Sequence, residues 1–325
     1  MTPAPVRLEH LPHDRLCGPE DGREMLEILR HQVRLQRVTS TMTPRCERSF
    51  EEGYVFPEKS FATGELTLNY AEGTTSGPPL VLLHGLTGRW QAWQTMMPSL
   101  TLHWHVYAFD LRGHGKSGRM ADQYQVADYA GDVVAFLQQL GQSAVLMGHS
   151  LGALVALATA TAWPGGTRAV VLLDPPLYLR NSSMDARPDV REWFRWVYDT
   201  VSSSSSYEDI VAQCRALSPD ADEDSITAMA DEISGVAADA VRLPLQDRVL
   251  GALDLGRALR HVQCPLLLMH GDWAHGATMR DEDAEFVHAN LPSAVTVKIT
   301  NGSHLFFQEQ QETVLQQVRE FLPSP

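Results

Sequence analysis

Ser150 stands between two glycines, where a short apolar run gives way to a helical one. The stretch Gly148-His149-Ser150-Leu151-Gly152 follows Ala144–Met147 and precedes Leu151–Trp163. A G-x-S-x-G string arises easily by chance, but a strand before it and a helix after it make it a nucleophile turn. The reason is steric. Glycines at 148 and 152 leave room where a Cβ would strike the neighbouring strand or helix. The serine Oγ then projects above the sheet at a helix N-terminus, where free N–H groups and the dipole favour developing negative charge. That chemistry is nucleophilic attack on an electrophilic carbon.

Three further segments end strands in the same way. His84-Gly85-Leu86-Thr87-Gly88 follows PLVLL. The N–H of Leu86 there and the N–H of Leu151 can converge on one oxygen, as an oxyanion hole requires. Asp110-Leu111-Arg112-Gly113-His114-Gly115-Lys116-Ser117 follows the next strand and reads as a structural loop, with Arg112 and Asp110 in local pairing and His114 in packing. Asn301-Gly302-Ser303-His304 follows the last strand. It puts a histidine at the carboxyl edge of the sheet, where an open α/β sheet presents its ligand crevice. Of the thirteen histidines, only His304 lies after that strand.

Elements must hold these residues together. Short runs rich in Val, Leu and Ile recur at Pro79–Leu83, His105–Phe109, Ala144–Met147, Ala169–Leu173, Pro265–Met269 and Ala294–Ile299. Such continuous runs are typical of parallel strands buried on both faces. A hairpin, Lys59–Ala62 and Leu66–Tyr70 around Thr63-Gly64, precedes them and brings the expected count to eight. Amphipathic helices are expected at Val126–Leu140, Leu151–Trp163, Asp281–Leu291 and Glu309–Phe321. The alternation predicts an α/β fold, a mostly parallel sheet with helices on both faces. Between Leu173 and Pro265 the alternation stops. About ninety residues without structure are improbable inside a compact domain, and helical patterns recur at Arg191–Thr200, Ser206–Ala216, Ser225–Ser234 and Asp254–His261. The expected organisation is an N-terminal extension at 1–53 carrying one helix near Asp21–Val38, a body at 54–176 and 262–325, and a helical insertion at 177–261. The extension is a candidate for homo-oligomer contacts.

Composition narrows the class. The chain has 325 residues, 44% of them hydrophobic and 20% charged, which excludes a disordered chain, a collagen-like fibre and a long coiled coil. A formal net charge of −14 disfavours nucleic acid and anionic membranes as partners. Cys17, Cys46, Cys214 and Cys264 form no C-x-x-C pair, so no metal site is expected. The start MTPAPVRLEHLPHDR lacks the apolar core of a signal peptide, and no run reaches transmembrane length. A cytoplasmic protein acting on a small molecule is expected.

With HGLTG, DLRGHGKS, GHSLG and GSH in this order, the chain resembles the α/β-hydrolase superfamily from about Tyr54 to Leu322. The resemblance implies an α/β-hydrolase fold with a helical lid inserted after the sixth strand. It implies Ser150 as nucleophile, His304 as base and Leu86 and Leu151 as oxyanion donors, with no cofactor. It also raises a difficulty with the acid. Most of the family carries it three residues after the glycine ending the seventh strand, and here that position, after Gly271, is Ala274. Asp174, at the end of the sixth strand, and Asp272 are the alternatives. Asp174 is favoured because Pro175 biases it towards an extended conformation that continues past the strand. Trp90, Trp93, Trp193 and Trp196 are candidates to line a substrate pocket, with core packing as the alternative. The expected activity is hydrolysis of a small carboxylic ester or lactone. C–C bond hydrolysis, perhydrolysis, acyl transfer and non-catalytic ligand binding remain open.

Overall fold

The computed structural model describes residues 56–73, 77–203 and 205–322. The N-terminal extension and its expected helix lie outside the described residues. Eight strands form one sheet: β1 (Glu58–Ala62), β2 (Thr67–Glu72), β3 (Pro79–Leu83), β4 (His105–Phe109), β5 (Ala144–His149), β6 (Thr167–Leu173), β7 (Leu266–His270) and β8 (Val295–Lys298). Their order is β1-β2-β4-β3-β5-β6-β7-β8. β1, β2 and β4 pair antiparallel, and every pairing from β4 through β8 is parallel.

The apolar runs are continuous because both faces of the inner strands are covered. Each strand divides its residues by period two between two core layers. Val81, Leu83, Leu146, Val170, Leu172, Leu266 and Leu268 face one layer. Leu80, Leu82, Val145, Met147, Val171, Leu173, Leu267 and Met269 face the other.

Helices fill both layers. α1 (Val126–Leu140) opens on a capping box between Gln125 and Asp128 and closes on Gly141 at φ 67, where a left-handed residue is needed to satisfy the last carbonyls. α2 (Leu151–Ala162) differs from its amphipathic expectation. Leu151 to Ala160 are all buried, because α2 is packed against β5, β6, α1 and a later body helix. A helix buried all round has no polar face to display.

The segment between β6 and β7 is helical: α3 (Pro188–Ser202), α4 (Tyr207–Leu217), α5 (Glu223–Gly235), α6 (Ala238–Leu245) and α7 (Leu255–His261). α6 has no counterpart in the sequence reading. Pro244 sits inside its last turn, a residue that normally ends a helical pattern. α7 packs on α2 and on α8 (Asp281–Asn290), both helices of the body. A one-turn helix at Phe306–Glu309 leads into the last helix, α9 (Gln311–Phe321), which buries Val314, Leu315 and Val318 in the second layer. Among the described residues no helix is long and apolar enough to cross a membrane.

Candidate functional site

Strand register sets the site. Leu83 pairs with Gly148, Gly148 with Leu172 and Leu172 with Leu268, so the loops after β3, β5, β6 and β7 leave the sheet along one edge. Six described non-glycine residues have positive φ, and Thr87, Ser150, Asp174 and Asn301 among them all follow strands at this edge. Backbone strain of this kind persists only where the surroundings over-determine it.

Ser150 sits at φ 53 and ψ −116, immediately before α2. A Cβ on Gly148 would lie 2.1 Å from the Gly152 carbonyl oxygen, and one on Gly152 would lie 2.1 Å from the Leu83 carbonyl oxygen. No side chain fits at either position. Leu151 is the first residue of α2, so its N–H has no acceptor within the helix. Leu86 occupies a turn closed by Gly88 N–H donating to Gly85 O at 3.0 Å. Thr87 takes φ 70 in that turn, a value that favours glycine and is strained for a β-branched residue. A Cβ on Gly85 would meet Ser150 Cβ at 3.2 Å, so this loop runs directly beside the serine.

His304 Nδ1 donates to Asp174 Oδ2 at 2.6 Å. The Asp174 side chain is fully buried. It also accepts from Thr278 N–H at 2.7 Å and Met279 N–H at 3.4 Å, and Thr278 Oγ1 lies 3.1 Å away. The loop beyond β7 thus supplies donors to a carboxylate that stands on β6. The Asp174 backbone is not extended. Its φ is 45, held by its N–H on Met269 O at 2.8 Å and by Thr278 Oγ1 donating to its carbonyl at 2.8 Å. These contacts override the preference imposed by Pro175.

Asp272 turns elsewhere. Its carboxylate caps the short turn at Trp273–His275, which follows β7, and lies 3.5 Å from His275 Nδ1. Only its backbone serves the histidine loop, through Asp272 N–H donating to Gly302 O at 2.7 Å.

The remaining strand-end residues build the frame. Asp110 accepts from Trp90 N–H at 2.8 Å, Lys116 N–H at 3.0 Å and Asn69 Nδ2 at 2.9 Å. Arg112 pairs with Asp132 on α1 through two 2.7 Å bonds, rather than with Asp110. His84 donates from Nδ1 to Gly85 O at 2.7 Å and accepts Leu111 N–H on Nε2 at 2.9 Å. Burial pushes His84 down to about 4. Burial, and then the neighbouring His84, push His114 down to about 3. Both stay neutral and hold loops.

Two of the four tryptophans take the core-packing alternative. Trp93 is fully buried against Phe307, with ring centroids 4.9 Å apart, and has no surface to offer a substrate. Trp90 is 7% exposed and donates from Nε1 to Glu58 at 3.1 Å. Both are core residues because the loop after β3 folds back onto the second layer. Trp193 and Trp196, half-buried on α3, stack on each other at 5.0 Å and pack against the first layer. A cavity of about 180 Å³ lies between α3, α4 and α5, lined by Arg119, Ser203, Tyr207 and Ser234 among others, and none of Ser150, Asp174 or His304 borders it. Among the described residues no group of three His, Cys, Asp or Glu gathers to hold a metal.

Two residues at the site escaped the sequence reading. Thr278 carried no signal, being one polar residue in a loop. His149 occupied the variable position of its motif. Its Nε2 donates to the His304 carbonyl at 2.8 Å, and its ring lies 4.4 Å from that of His304.

Comparison with known proteins bears on the fold and the family. A family model described as the alpha/beta hydrolase family matches residues 80–317. A 2-(acetamidomethylene)succinate hydrolase of Mesorhizobium japonicum is 35% identical over 38% of this chain, and the match spans 44% of that relative's length. An N-formylmaleamate deformylase of Pseudomonas putida is 25% identical over 77% of this chain and 90% of its own. The solved enol-lactonase of Burkholderia xenovorans superposes with a TM-score of 0.64 at 21% identity, over 81% of this chain and 99% of that one.

Proposed function

The chain belongs to the alpha/beta hydrolase family, and from that premise we propose that it is a serine hydrolase cleaving a small carboxylic ester or lactone through an acyl-enzyme on Ser150. Ser150 Oγ attacks the carbonyl carbon while His304 Nε2 takes its proton. Asp174 holds the imidazole in the Nδ1–H tautomer and stabilises the imidazolium. The N–H groups of Leu86 and Leu151 stabilise the oxyanion. His304 returns the proton to the leaving alcohol. Water, deprotonated by the same histidine, then attacks the acyl carbon, and the histidine gives that proton to Ser150 Oγ as its bond to the acyl group breaks and the acid leaves.

The observation that carries this reading is the 2.6 Å bond between His304 and buried Asp174, made at the sheet edge where Ser150 stands. Every reacting or stabilising group is a protein atom, so the scheme calls on no cofactor. The half-buried tryptophans of α3 and the insertion that bears them are proposed as a lid that selects substrate. Because two relatives are named as a 2-(acetamidomethylene)succinate hydrolase and an N-formylmaleamate deformylase, the substrate panel includes amides beside esters and lactones.

The test is a panel of p-nitrophenyl esters of increasing acyl length, simple lactones and N-formyl compounds, run beside fluorophosphonate labelling. The expected result is turnover of at least one ester or lactone and a mass adduct on Ser150 that Ser150→Ala abolishes. Labelling on another serine, or binding without turnover across the panel, overturns the reading.

A further inference from the structure

His149 directly precedes Ser150 and contacts the loop that bears His304, although its place in G-x-S-x-G tolerates many side chains. It is 5% exposed and meets the loops after β3 and β8. Its Nε2 is 2.8 Å from the carbonyl oxygen of His304. A carbonyl can only accept, so Nε2 carries the proton and Nδ1 does not. Its ring is clasped between two others, that of His304 with centroids 4.4 Å apart and that of Phe307 at 4.5 Å. On its remaining side the backbone of Gly85 closes in, where a Cβ would lie 3.0 Å from Nδ1. The loops after β3 and β8 therefore meet on one imidazole.

We propose that His149 is a positioning residue that holds the His304 loop in register with Ser150, through its Nε2–H bond to the His304 carbonyl and its ring contact with the His304 imidazole. The proposal rests on the reading of Ser150 and His304 given above. The Asp174 bond fixes one edge of the His304 ring, and Asp272 N–H on Gly302 O holds the loop two residues earlier, but neither reaches the backbone of His304 itself. That loop carries strain at Asn301, with φ 55. A single hydrogen bond across from the nucleophile turn ties its backbone to the residue before the serine, so the base cannot drift without pulling on the nucleophile. A neutral ring is required beside a base that becomes cationic during the reaction. Burial, and then the adjacent His304, hold His149 well below the ordinary histidine range, so it stays uncharged.

Two variants separate its contributions. Gln places its Nε2 at about the reach of the histidine Nε2 and keeps the donor without the ring. Phe keeps a ring and removes the donor. The expected result is that His149→Phe lowers kcat by roughly 10- to 100-fold, the scale of a misplacement of about 1 Å. KM should stay within about threefold, since no substrate contact is lost. His149→Gln should recover most of the kcat loss. Circular dichroism and melting temperature check the fold of each. Should Phe fail to fold, the Gln variant decides alone: a kcat within about fivefold of wild type supports the tie, and a loss of 100-fold overturns it. A folded His149→Phe enzyme with unchanged kcat overturns it, as does a rise in KM at constant kcat. So does a Gln variant no better than Phe. Failure of the underlying reading shows separately, as labelling or turnover that survives Ser150→Ala.

Discussion

At the residue scale, the two aspartates near His304 differ in what their carboxylates are committed to. Asp174 is buried and accepts from His304, Thr278 and Met279. Asp272 caps its own turn and faces His275. The Asn substitution keeps shape and removes charge, and an amide cannot enforce the Nδ1–H tautomer. Asp174→Asn is therefore expected to lower kcat by about 10³- to 10⁴-fold with KM largely kept. Asp272→Asn should cost tenfold or less, the scale of about 1.4 kcal/mol. Measuring kcat for both on one substrate decides: a crippled Asp272→Asn beside a healthy Asp174→Asn reverses the assignment. The positions of Ser150 and His304 were legible because each ends a strand within a recognisable motif. The acid was legible only as a choice between two aspartates, with Asp174 favoured for a reason the structure does not support, because no motif surrounds it. The local rule applied to it, an extended residue before proline, is overridden by contacts with a loop 104 residues further on. Long-range contacts of this kind leave no trace in a window of sequence.

At the scale of elements, the strands were readable because burial on both faces writes an uninterrupted apolar run. α1 was readable because one face is wet. α2 lacked that contrast and α6 concealed itself behind Pro244, so both departed from their patterns. The loops after β3 and β4 are pinned by two neutral histidines, with a consequence for acid stability. His84 and His114 are held at about 4 and about 3, against 6.5 for an ordinary histidine. Between pH 6.5 and 4 the unfolded chain binds more protons than the folded one, so stability falls as pH falls through that window. At about 1.4 kcal/mol per unit, the loss by pH 4 is on the order of 3 kcal/mol for each. Glu232 on α5 works in the opposite direction. Burial, opposed by Arg89, pushes it up to about 7, so it adds stability on acidification from pH 7 towards 4.5. Its side chain is partly exposed, and solvent screening makes its effect the smaller. The melting temperature is therefore expected to drop between pH 6.5 and 4, and His114→Phe should flatten that drop. A calorimetric series in which the variant keeps the wild-type slope would show that His114 is not part of the cause.

At the scale of the whole molecule, the question is what holds the helices between β6 and β7 to the strands and loops around them. Ala237 N–H donates to Gly113 O at 2.7 Å, and Arg119 reaches the Gly235 carbonyl at 3.2 Å, so the carboxyl end of α5 is fastened to the loop after β4. Arg89, three residues beyond Leu86, pairs with Asp231 on α5 at 2.9 Å. Ile226, Ile233 and Val197 continue the first core layer into the insertion. These links are unequal. A partly exposed ion pair contributes about 0–1 kcal/mol, whereas truncating a buried isoleucine to alanine costs about 2–5 kcal/mol. Apolar packing thus keeps the insertion folded, and the ion pair sets how α5 sits against the loop bearing Leu86. Ile233→Ala should lower the melting temperature well beyond Arg89→Leu, whose loss of at most about 1 kcal/mol corresponds to roughly 2 °C or less in a chain of this size. If the insertion selects substrate, Arg89→Leu should nonetheless shift KM across the acyl-length panel by severalfold and change which chain is preferred. The two measurements belong together. An Arg89→Leu enzyme with an unchanged chain-length profile and an unchanged melting temperature would mean that this contact neither holds nor tunes the insertion, and that selectivity resides in the body.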